Sequence, residues 1–171
     1  MYAYARDLMT GTNSSPMMFS PGGVTTRGMA VTILWRMAGA PNTYLPTSGS
    51  PFNDLAAGAY YDNAVQWAAA NGIVFGYGNK KFGPNDPISR QDLAVILARY
   101  ADKMKITLPA EQDYPGFSDD AATAGYAKGA IEQLCKAGIV GGYPGGGFNP
   151  GGNTTRAEFA TVLARFIEAT A

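Results

Sequence analysis

Residues Thr155–Glu158 have the sequence TRAE, and this motif indicates the architecture of the chain because it occurs in three related copies at nearly even spacing. The other copies are Ser89–Asp92, SRQD, which starts 66 residues earlier, and Thr26–Met29, TRGM, which starts another 63 residues earlier. A second motif precedes two of them: Gly138–Tyr143 has the sequence GIVGGY and Gly72–Tyr77 has GIVFGY. Spaced motifs that recur together indicate a repeat architecture.

The repeats divide the chain into three predicted units, residues 1–41, 42–104 and 105–171. Because Leu8–Gly11 aligns with Ile73–Gly76, unit one begins in the middle of its first helix. One unit of this size has a thin core, whereas 171 residues can bury about 70% of the unfolded surface. We therefore expect one compact all-α module, with its striped helices packed around a shared pseudo-threefold axis.

Each unit is predicted to be a helix, a glycine-rich loop and a second helix. The second helices follow the i, i+3, i+4, i+7, i+8 spacing of a helix with one face in a core. Their stripes are Ala30, Ile33, Leu34, Met37 and Ala38; Leu93, Ile96, Leu97, Tyr100 and Ala101; and Phe159, Val162, Leu163, Phe166 and Ile167. The weaker first-helix stripes are Tyr60, Ala64, Val65 and Ala68, and Tyr126, Ala130, Ile131 and Leu134.

Thr26, Ser89 and Thr155 are the predicted N-caps of the second helices, because a short hydroxyl side chain can accept a hydrogen bond from a free backbone amide. Three residues after a cap stand Asp92 and Glu158, where an acid can bind the cap amide in return. Glutamate makes the better capping box of the two.

Composition excludes several classes of function. With no histidine and one cysteine, the chain offers no Ser-His or Cys-His nucleophile pair, no His-containing zinc site and no internal disulfide. Lys and Arg total 13, as do Asp and Glu, which argues against nucleic acid or an anionic membrane as the partner. The apolar runs are too short to span a bilayer. No signal-like segment opens the chain, so we expect an export signal to be removed or absent.

Arg27, Arg90 and Arg156 each follow an N-cap directly. A helix N-terminus already carries partial positive charge, so a cation there typically forfeits about 0.3–1 kcal/mol. An anion bound at that point would meet free amides, a hydroxyl and a guanidinium fork. We expect anion binding at these three arginines, and the alternative is a salt bridge with a neighbouring unit's carboxylate, such as Asp54 or Asp119.

Three further arginines stand nine residues on, at Arg36, Arg99 and Arg165. These positions are near the helix C-termini, where a cation is favoured. We therefore expect a structural or solvated role for them.

Aromatic and acidic residues supply the remaining candidates. Tyr77 and Tyr143 could stack on a sugar ring or simply pack within their loops. Trp67 falls off the apolar stripe, so it could be exposed or lie between units. Asp54 and Asp119 are expected to be helix N-caps, with ligand contact as the alternative.

Two candidates for chemical reactivity have simpler explanations. Asp92 and Glu158 could be imagined as a carboxylate pair for sugar hydrolysis, but capping explains them at least as well. Cys135 is expected to be a small packing residue of its helix.

These motifs together resemble the S-layer homology module. The run Thr155–Glu158, preceded by Gly138–Tyr143 and by Phe117–Asp119, FSD, carries the resemblance, and it extends over nearly the whole chain in the family's threefold arrangement. Ser89–Asp92 is a recognisable variant. Thr26–Met29 keeps the arginine and lacks the acid.

The resemblance implies fold, ligand and location. Such modules form a spindle of three repeats with a central three-helix core, and they anchor exported proteins noncovalently to secondary polymers of bacterial cell walls. These polymers often carry a pyruvate ketal. The ligand lies in grooves between adjacent repeats, where the motif arginine contacts the acidic sugar. By matching position this role falls to Arg27, Arg90 and Arg156, with Thr26, Ser89 and Thr155 beside them.

The sequence thus predicts a non-catalytic, extracellular anchor at the bacterial cell surface or wall, bound to an acidic polysaccharide. We expect no cofactor, metal, nucleic-acid partner or membrane insertion, while contacts with other S-layer protein subunits are compatible with it. The alternatives are a structural component of an S-layer lattice that acts through protein–protein contacts, and a wall-glycan hydrolase.

Overall fold

The computed structural model describes residues 8–14, 17–41 and 50–171, and its regular structure is almost entirely helical. Five α-helices occur in these residues: α1 Arg27–Met37, α2 Asp62–Ala70, α3 Arg90–Lys103, α4 Gly125–Lys136 and α5 Arg156–Ala169. A 3₁₀ turn spans Asp120–Ala122. Two-residue strands, β1 Asn13–Ser14 and β2 Met17–Met18, pair antiparallel. The predicted all-α class is confirmed, and the predicted first helix of unit one falls on residues 1–7, outside the described residues.

The predicted N-caps are confirmed at α1, α3 and α5, the second helices of the three predicted units. The side chains of Thr26, Ser89 and Thr155 each accept a hydrogen bond from the amide three residues on. A complete capping box forms only at α5 among the described helices, where Glu158 binds the Thr155 amide in return. The longer glutamate side chain closes this box, as its sequence predicts.

The apolar stripes of α1, α3 and α5 pack into one shared hydrophobic core. All five stripe residues of α3 are buried, and Tyr100 meets Phe166 of α5 edge to face at 6.0 Å between ring centroids. In α1 and α5 three of the five stripe residues are buried and the other two are half-buried; the buried ones are Ala30, Ile33 and Leu34, and Phe159, Leu163 and Phe166. Trp67 is buried in the core, which excludes the exposed alternative.

Tyr60 and Tyr126 depart from the stripe that the sequence predicts for the first helices, since their exposed fractions are 54% and 61%. Tyr60 lies before the first residue of α2, and Tyr126 lies in the first turn of α4, where the stripe has not yet entered the core. Helix α2 packs against α1, and α4 packs against α3. The second helix of one predicted unit therefore packs on the first helix of the next.

Backbone hydrogen bonds join the residues just before α1, α3 and α5 in a closed ring. The Thr25 N–H donates to the Thr154 carbonyl, Thr154 N–H to Ile88, and Ile88 N–H back to Thr25, at 2.8 to 3.0 Å. This ring fixes the N-termini of the three helices next to one another.

Asp54 and Asp119 do not cap helices as predicted; each fixes a loop. Asp54 accepts hydrogen bonds from the amides of Phe82 and Gly83, at 2.9 and 2.8 Å. Asp119 accepts from Phe148 and the next residue, both at 2.7 Å, and makes no side-chain bond to the 3₁₀ turn that follows it. Both carboxylates bind loop amides, so these acids hold the glycine-rich loops against the segments that precede the first helices.

No helix in the described ranges is long and apolar enough to cross a membrane.

Candidate functional site

Arg27, Arg90 and Arg156 are the first residues of α1, α3 and α5, and we call them the N-terminal arginines. Each binds the glycine-rich loop of another predicted unit. Arg90 Nε donates to the Phe148 carbonyl at 2.8 Å, and its Nη2 donates to the Gly141 carbonyl at 2.9 Å. Arg156 makes the same pair of bonds with Phe19 and Thr10, at 2.8 and 2.6 Å.

Arg27 follows the same pattern, since its Nε donates to the Phe82 carbonyl at 2.9 Å. The order is cyclic: α1 binds the loop before α3, α3 binds the loop before α5, and α5 binds the loop before α1.

Aromatic rings hold the same guanidinium groups. Arg27 lies 4.7 and 4.8 Å from the ring centroids of Tyr77 and Phe82. Arg90 lies at 4.5 and 4.6 Å from Tyr143 and Phe148. A guanidinium over an aromatic face is stabilised by cation–π attraction, more strongly where water is excluded.

Arg156 stacks on Phe19 at 5.0 Å from the ring centroid. Arg27 and Arg156 are each only 7% exposed, and burial lowers the pKa of the Arg156 guanidinium. These side chains are therefore part of the packed structure as well as of any binding surface.

The alternative of a salt bridge from these arginines to Asp54 or Asp119 is not the arrangement found. Carbonyl oxygens take the place of those acids, because the carboxylates already bind loop amides. One of these arginines does form an ion pair with another acid: Arg90 Nη1 lies 3.6 Å from Glu158 Oε1.

Three clefts open beside the arginines, and we call them grooves A, B and C. Groove A, about 310 Å³, is lined by Arg27, Phe75, Tyr77, Asp92, Arg99 and Tyr126, among others. Groove B, about 180 Å³, is lined by Arg90, Gly141, Tyr143, Glu158, Thr161 and Arg165, among others. Groove C, about 460 Å³, is lined by Thr10, Met29, Thr32, Arg36, Tyr60 and Arg156, among others. Each groove thus has one arginine from a helix N-terminus and one from near the C-terminus of another helix.

Sequence reasoning assigned Arg36, Arg99 and Arg165 a structural or solvated role and did not place them beside the other three arginines. The signal was present in their spacing. Nine residues are about two and a half turns of α-helix, so the two arginines of one helix point to opposite sides. Each helix therefore contributes one arginine to each of two grooves.

The third position after each N-cap also faces a groove. In groove B, the Tyr143 hydroxyl donates a short hydrogen bond to Glu158. Burial alone would raise the pKa of Glu158, but the bonds from Tyr143 and Thr155 and the charge of Arg90 hold it below its ordinary value.

In groove A, the Tyr126 hydroxyl donates to Asp92 at 2.7 Å. Burial and this carboxylate raise the pKa of Tyr126 to about 12. In groove C the corresponding residue is Met29, which brings no charge. Each groove therefore has a pair of arginines, and the grooves differ in the third residue after the cap, which is Asp92, Glu158 or Met29.

The structure places the predicted tyrosines in two grooves, Tyr77 in groove A and Tyr143 in groove B, 53% and 41% exposed. Sequence reasoning missed three further exposed aromatic residues that line grooves: Tyr60, Phe75 and Tyr126. Because two of these were assigned to buried stripes, exposure could be recognised only from the fold.

The cap hydroxyls of Thr26, Ser89 and Thr155 bind helix amides and are not among the lining residues of grooves A, B and C. Their contribution is to fix the turn from which each arginine extends.

The features that could suggest catalysis are separated or buried. Asp92 lies in groove A and Glu158 in groove B, so they do not flank one substrate bond as a glycosidase pair does. Cys135 is buried in the core, and burial raises the pKa of its thiol to about 11. This placement agrees with its predicted packing role.

The repeated loops and helices match a known family. Residues 51–94 and 116–160 match the S-layer homology domain, and the chain belongs to this family. Domains of this family are cell-wall anchoring modules, so the predicted location at the bacterial cell surface or wall is confirmed.

The chain is similar to parts of an anchoring protein, a surface-layer protein and an enzyme. A cellulosome-anchoring protein of Acetivibrio thermocellus is 35% identical over 134 residues, which are 75% of this chain and 27% of that protein. A surface-layer 125 kDa protein of Lysinibacillus sphaericus is 32% identical over 120 residues, 68% of this chain and 10% of the relative. An amylopullulanase of Thermoanaerobacterium thermosulfurigenes is 31% identical over 150 residues, 88% of this chain and 8% of the enzyme. The chain therefore spans about a quarter or less of the length of these relatives.

Proposed function

We propose that this chain is a non-catalytic anchor that binds an acidic, pyruvylated secondary cell-wall polysaccharide in grooves A, B and C. The observation that carries the proposal is that each groove is lined by two arginines from two different helices. In the described parts of the chain, each groove has two arginines against at most one acid, so a polymer that bears carboxylates supplies a further anion.

The architecture in this proposal is three repeats, residues 1–41, 42–104 and 105–171, around a pseudo-threefold axis with a central core of α1, α3 and α5. The closed hydrogen-bond ring of Thr25, Ile88 and Thr154 supports the symmetry. So does the cyclic order in which each N-terminal arginine binds the next loop.

Recognition rests on charge-assisted hydrogen bonds. An arginine has five N–H donors, and Arg90 and Arg156 use Nε and one Nη2 hydrogen on carbonyl oxygens, so the remaining donors can bind a carboxylate. Tyr77 and Tyr143 offer ring surface to the C–H faces of a sugar. Several weak grooves on one rigid body gain strength if one polymer chain reaches more than one of them.

Co-sedimentation of the purified chain with bacterial wall sacculi tests this function. We expect binding to intact sacculi, no binding to sacculi stripped of secondary polymer, and weaker binding as salt rises, because exposed charges are screened. Equal binding to stripped sacculi would refute polysaccharide recognition. Self-assembly that grows with protein concentration, together with failure to bind the polymer, would favour a lattice component instead.

A paired substitution tests the arginines. Arg90→Ala with Arg156→Ala is expected to weaken binding to intact sacculi at least tenfold, because it removes one guanidinium from grooves B and C. These side chains also hold loops, so the thermal midpoint must be measured beside binding. Lys103→Ala with Lys128→Ala makes the same charge change at exposed helical positions and is expected to bind like the parent chain. Binding by the arginine variant that equals this control, in a folded protein, contradicts the proposed site.

A further inference from the structure

Arg36, Arg99 and Arg165 occupy the same clefts as the N-terminal arginines but make fewer contacts with the described part of the protein, and the half-buried Arg36 donates one hydrogen bond, from Nη1 to the Leu8 carbonyl at 3.1 Å. In groove B the side chain of Arg90 has an exposed fraction of 11%, whereas Arg165 is an exposed residue. Arg99 is half-buried, and its guanidinium rests on one ring, Phe75, at 4.7 Å from the centroid. Phe75 itself is 65% exposed, so this stacked pair stands at the mouth of groove A.

Arg99 and Arg165 give grooves A and B an excess of positive charge. Groove A has Arg27 and Arg99 against Asp92, whose Oδ1 already accepts the Tyr126 hydroxyl. In groove B, Glu158 accepts hydrogen bonds from Tyr143 and from the Thr155 backbone and hydroxyl. Among the described lining residues, each groove therefore has one cation more than its acid can neutralise.

We propose that Arg99 and Arg165, together with Arg36 in groove C, are the ligand's second cationic contact, so that one carboxylate is bound between two guanidinium groups from different helices. This inference rests on the proposed function and assigns different roles to the two arginines of a groove. The N-terminal arginine positions the loop and forms the floor with its remaining donors. The second arginine meets the anion from the open side.

A helix C-terminus favours a cation by itself, and this explains why an arginine is tolerated at these positions. It does not explain why the side chain lines a cleft opposite another arginine in three separate places. A planar fork that binds a carboxylate with two parallel hydrogen bonds accounts for that placement. Lysine would keep the charge and lose the bidentate geometry.

The test uses the full chain, purified secondary wall polymer and isothermal titration calorimetry. Arg99→Ala with Arg165→Ala is expected to raise the dissociation constant at least tenfold and to flatten its dependence on salt. The Lys103→Ala, Lys128→Ala pair, which carries the same change in net charge, is expected to leave the constant within about twofold. Arg99→Lys with Arg165→Lys is expected to fall between them, since charge alone restores part of the binding.

The outcomes separate the inference from the function on which it rests. If the parent chain does not bind the polymer, the proposed function fails. If the parent binds and the folded Arg99→Ala, Arg165→Ala variant matches the lysine control, the function stands and the second contact is refuted. Circular dichroism and the thermal midpoint establish folding for every variant.

Discussion

A carboxylate that accepts two backbone amides stabilises the base of the glycine-rich loop in predicted units two and three. Asp119 binds the amides of Phe148 and Asn149, and Asp54 makes the equivalent bonds 65 residues earlier. These bonds position the same loops whose carbonyls receive the arginines. A single acidic residue thus supports a groove that it does not line.

The folded protein stabilises the ionised form of the Asp119 carboxyl group. The Phe148 amide, aided by Asn149 and the charge of Arg90, holds the pKa of Asp119 below its ordinary value of 3.8, although desolvation opposes this. A carboxyl whose pKa is lowered by folding adds stability above its unfolded pKa and loses it as the pH falls through the folded value. We expect Asp119→Asn to reduce the free energy of unfolding by roughly 1–2 kcal/mol at pH 7, allowing for solvent screening.

The deficit of this variant is expected to begin to shrink as the pH falls below about 3.8, the value of the unfolded carboxyl, and to disappear below the lower pKa of the folded parent. Urea unfolding at pH 7, 5 and 3 measures this convergence. Asp113→Asn, at an exposed aspartate, is the control and should change little at any of these pH values. A deficit at Asp119 that stays constant with pH would show that shape, and not charge, holds the loop.

Among the helices, the first turns of α1, α3 and α5 each dock on a proline-containing loop. The amides of Gly28, Gln91 and Ala157 donate to the carbonyls of Pro84, Pro150 and Pro21 at 2.9 to 3.0 Å. These bonds satisfy amides that a helix N-terminus leaves free. They also bring the helix and loop backbones close together, most tightly at α1.

Gly28 lies where α1 has no room for a side chain. A Cβ atom there would lie 2.7 Å from the Pro84 carbonyl oxygen and 3.2 Å from two atoms of Tyr61. We expect Gly28→Ala to destabilise the protein by about 1–3 kcal/mol through overpacking, despite the better helix propensity of alanine. Gly129→Ala on α4 is the matched control, since a Cβ there meets nothing within 4 Å.

The control is expected to stabilise the protein by about 0.5–1 kcal/mol, so the two identical substitutions differ in sign. Thermal unfolding followed by circular dichroism measures both. Stabilisation by Gly28→Ala would mean that α1 can move away from Pro84 at no cost.

Helix caps and buried stripes could be predicted from the sequence because both depend on residues within two or three turns of each other. Thr155 with Glu158 is such a pair, and the structure confirms its capping box. The roles of Asp54 and Arg90 could not be predicted in this way. Their partners lie 28 to 58 residues away and are main-chain groups, which every residue carries and no motif marks. The helical spacing of Arg90 and Arg99 was informative, but only the fold shows that the two sides of a helix face different grooves.

At the scale of the whole molecule, the predicted units are interleaved. Helix α1 packs on α2 and α3 packs on α4, across the boundaries that the repeats define in sequence. The ring of Thr25, Ile88 and Thr154 then joins the N-termini of α1, α3 and α5. Breaking any one of its hydrogen bonds requires movement of two predicted units, so local opening of one unit should be unfavourable.

Native-state hydrogen exchange tests this coupling. We expect the amides of Thr25, Ile88 and Thr154 to exchange with one common free energy, equal to that of global unfolding, because the ring opens only when the whole core opens. The Met104 amide, at the end of α3, is the internal control and should exchange with a smaller free energy through fraying of the last turn. Two or three distinct free energies among the ring amides would mean that the units open independently. A groove formed between independently opening units would lose the alignment of its two arginines, so common exchange of the ring is also the physical condition under which two guanidinium groups can bind one carboxylate.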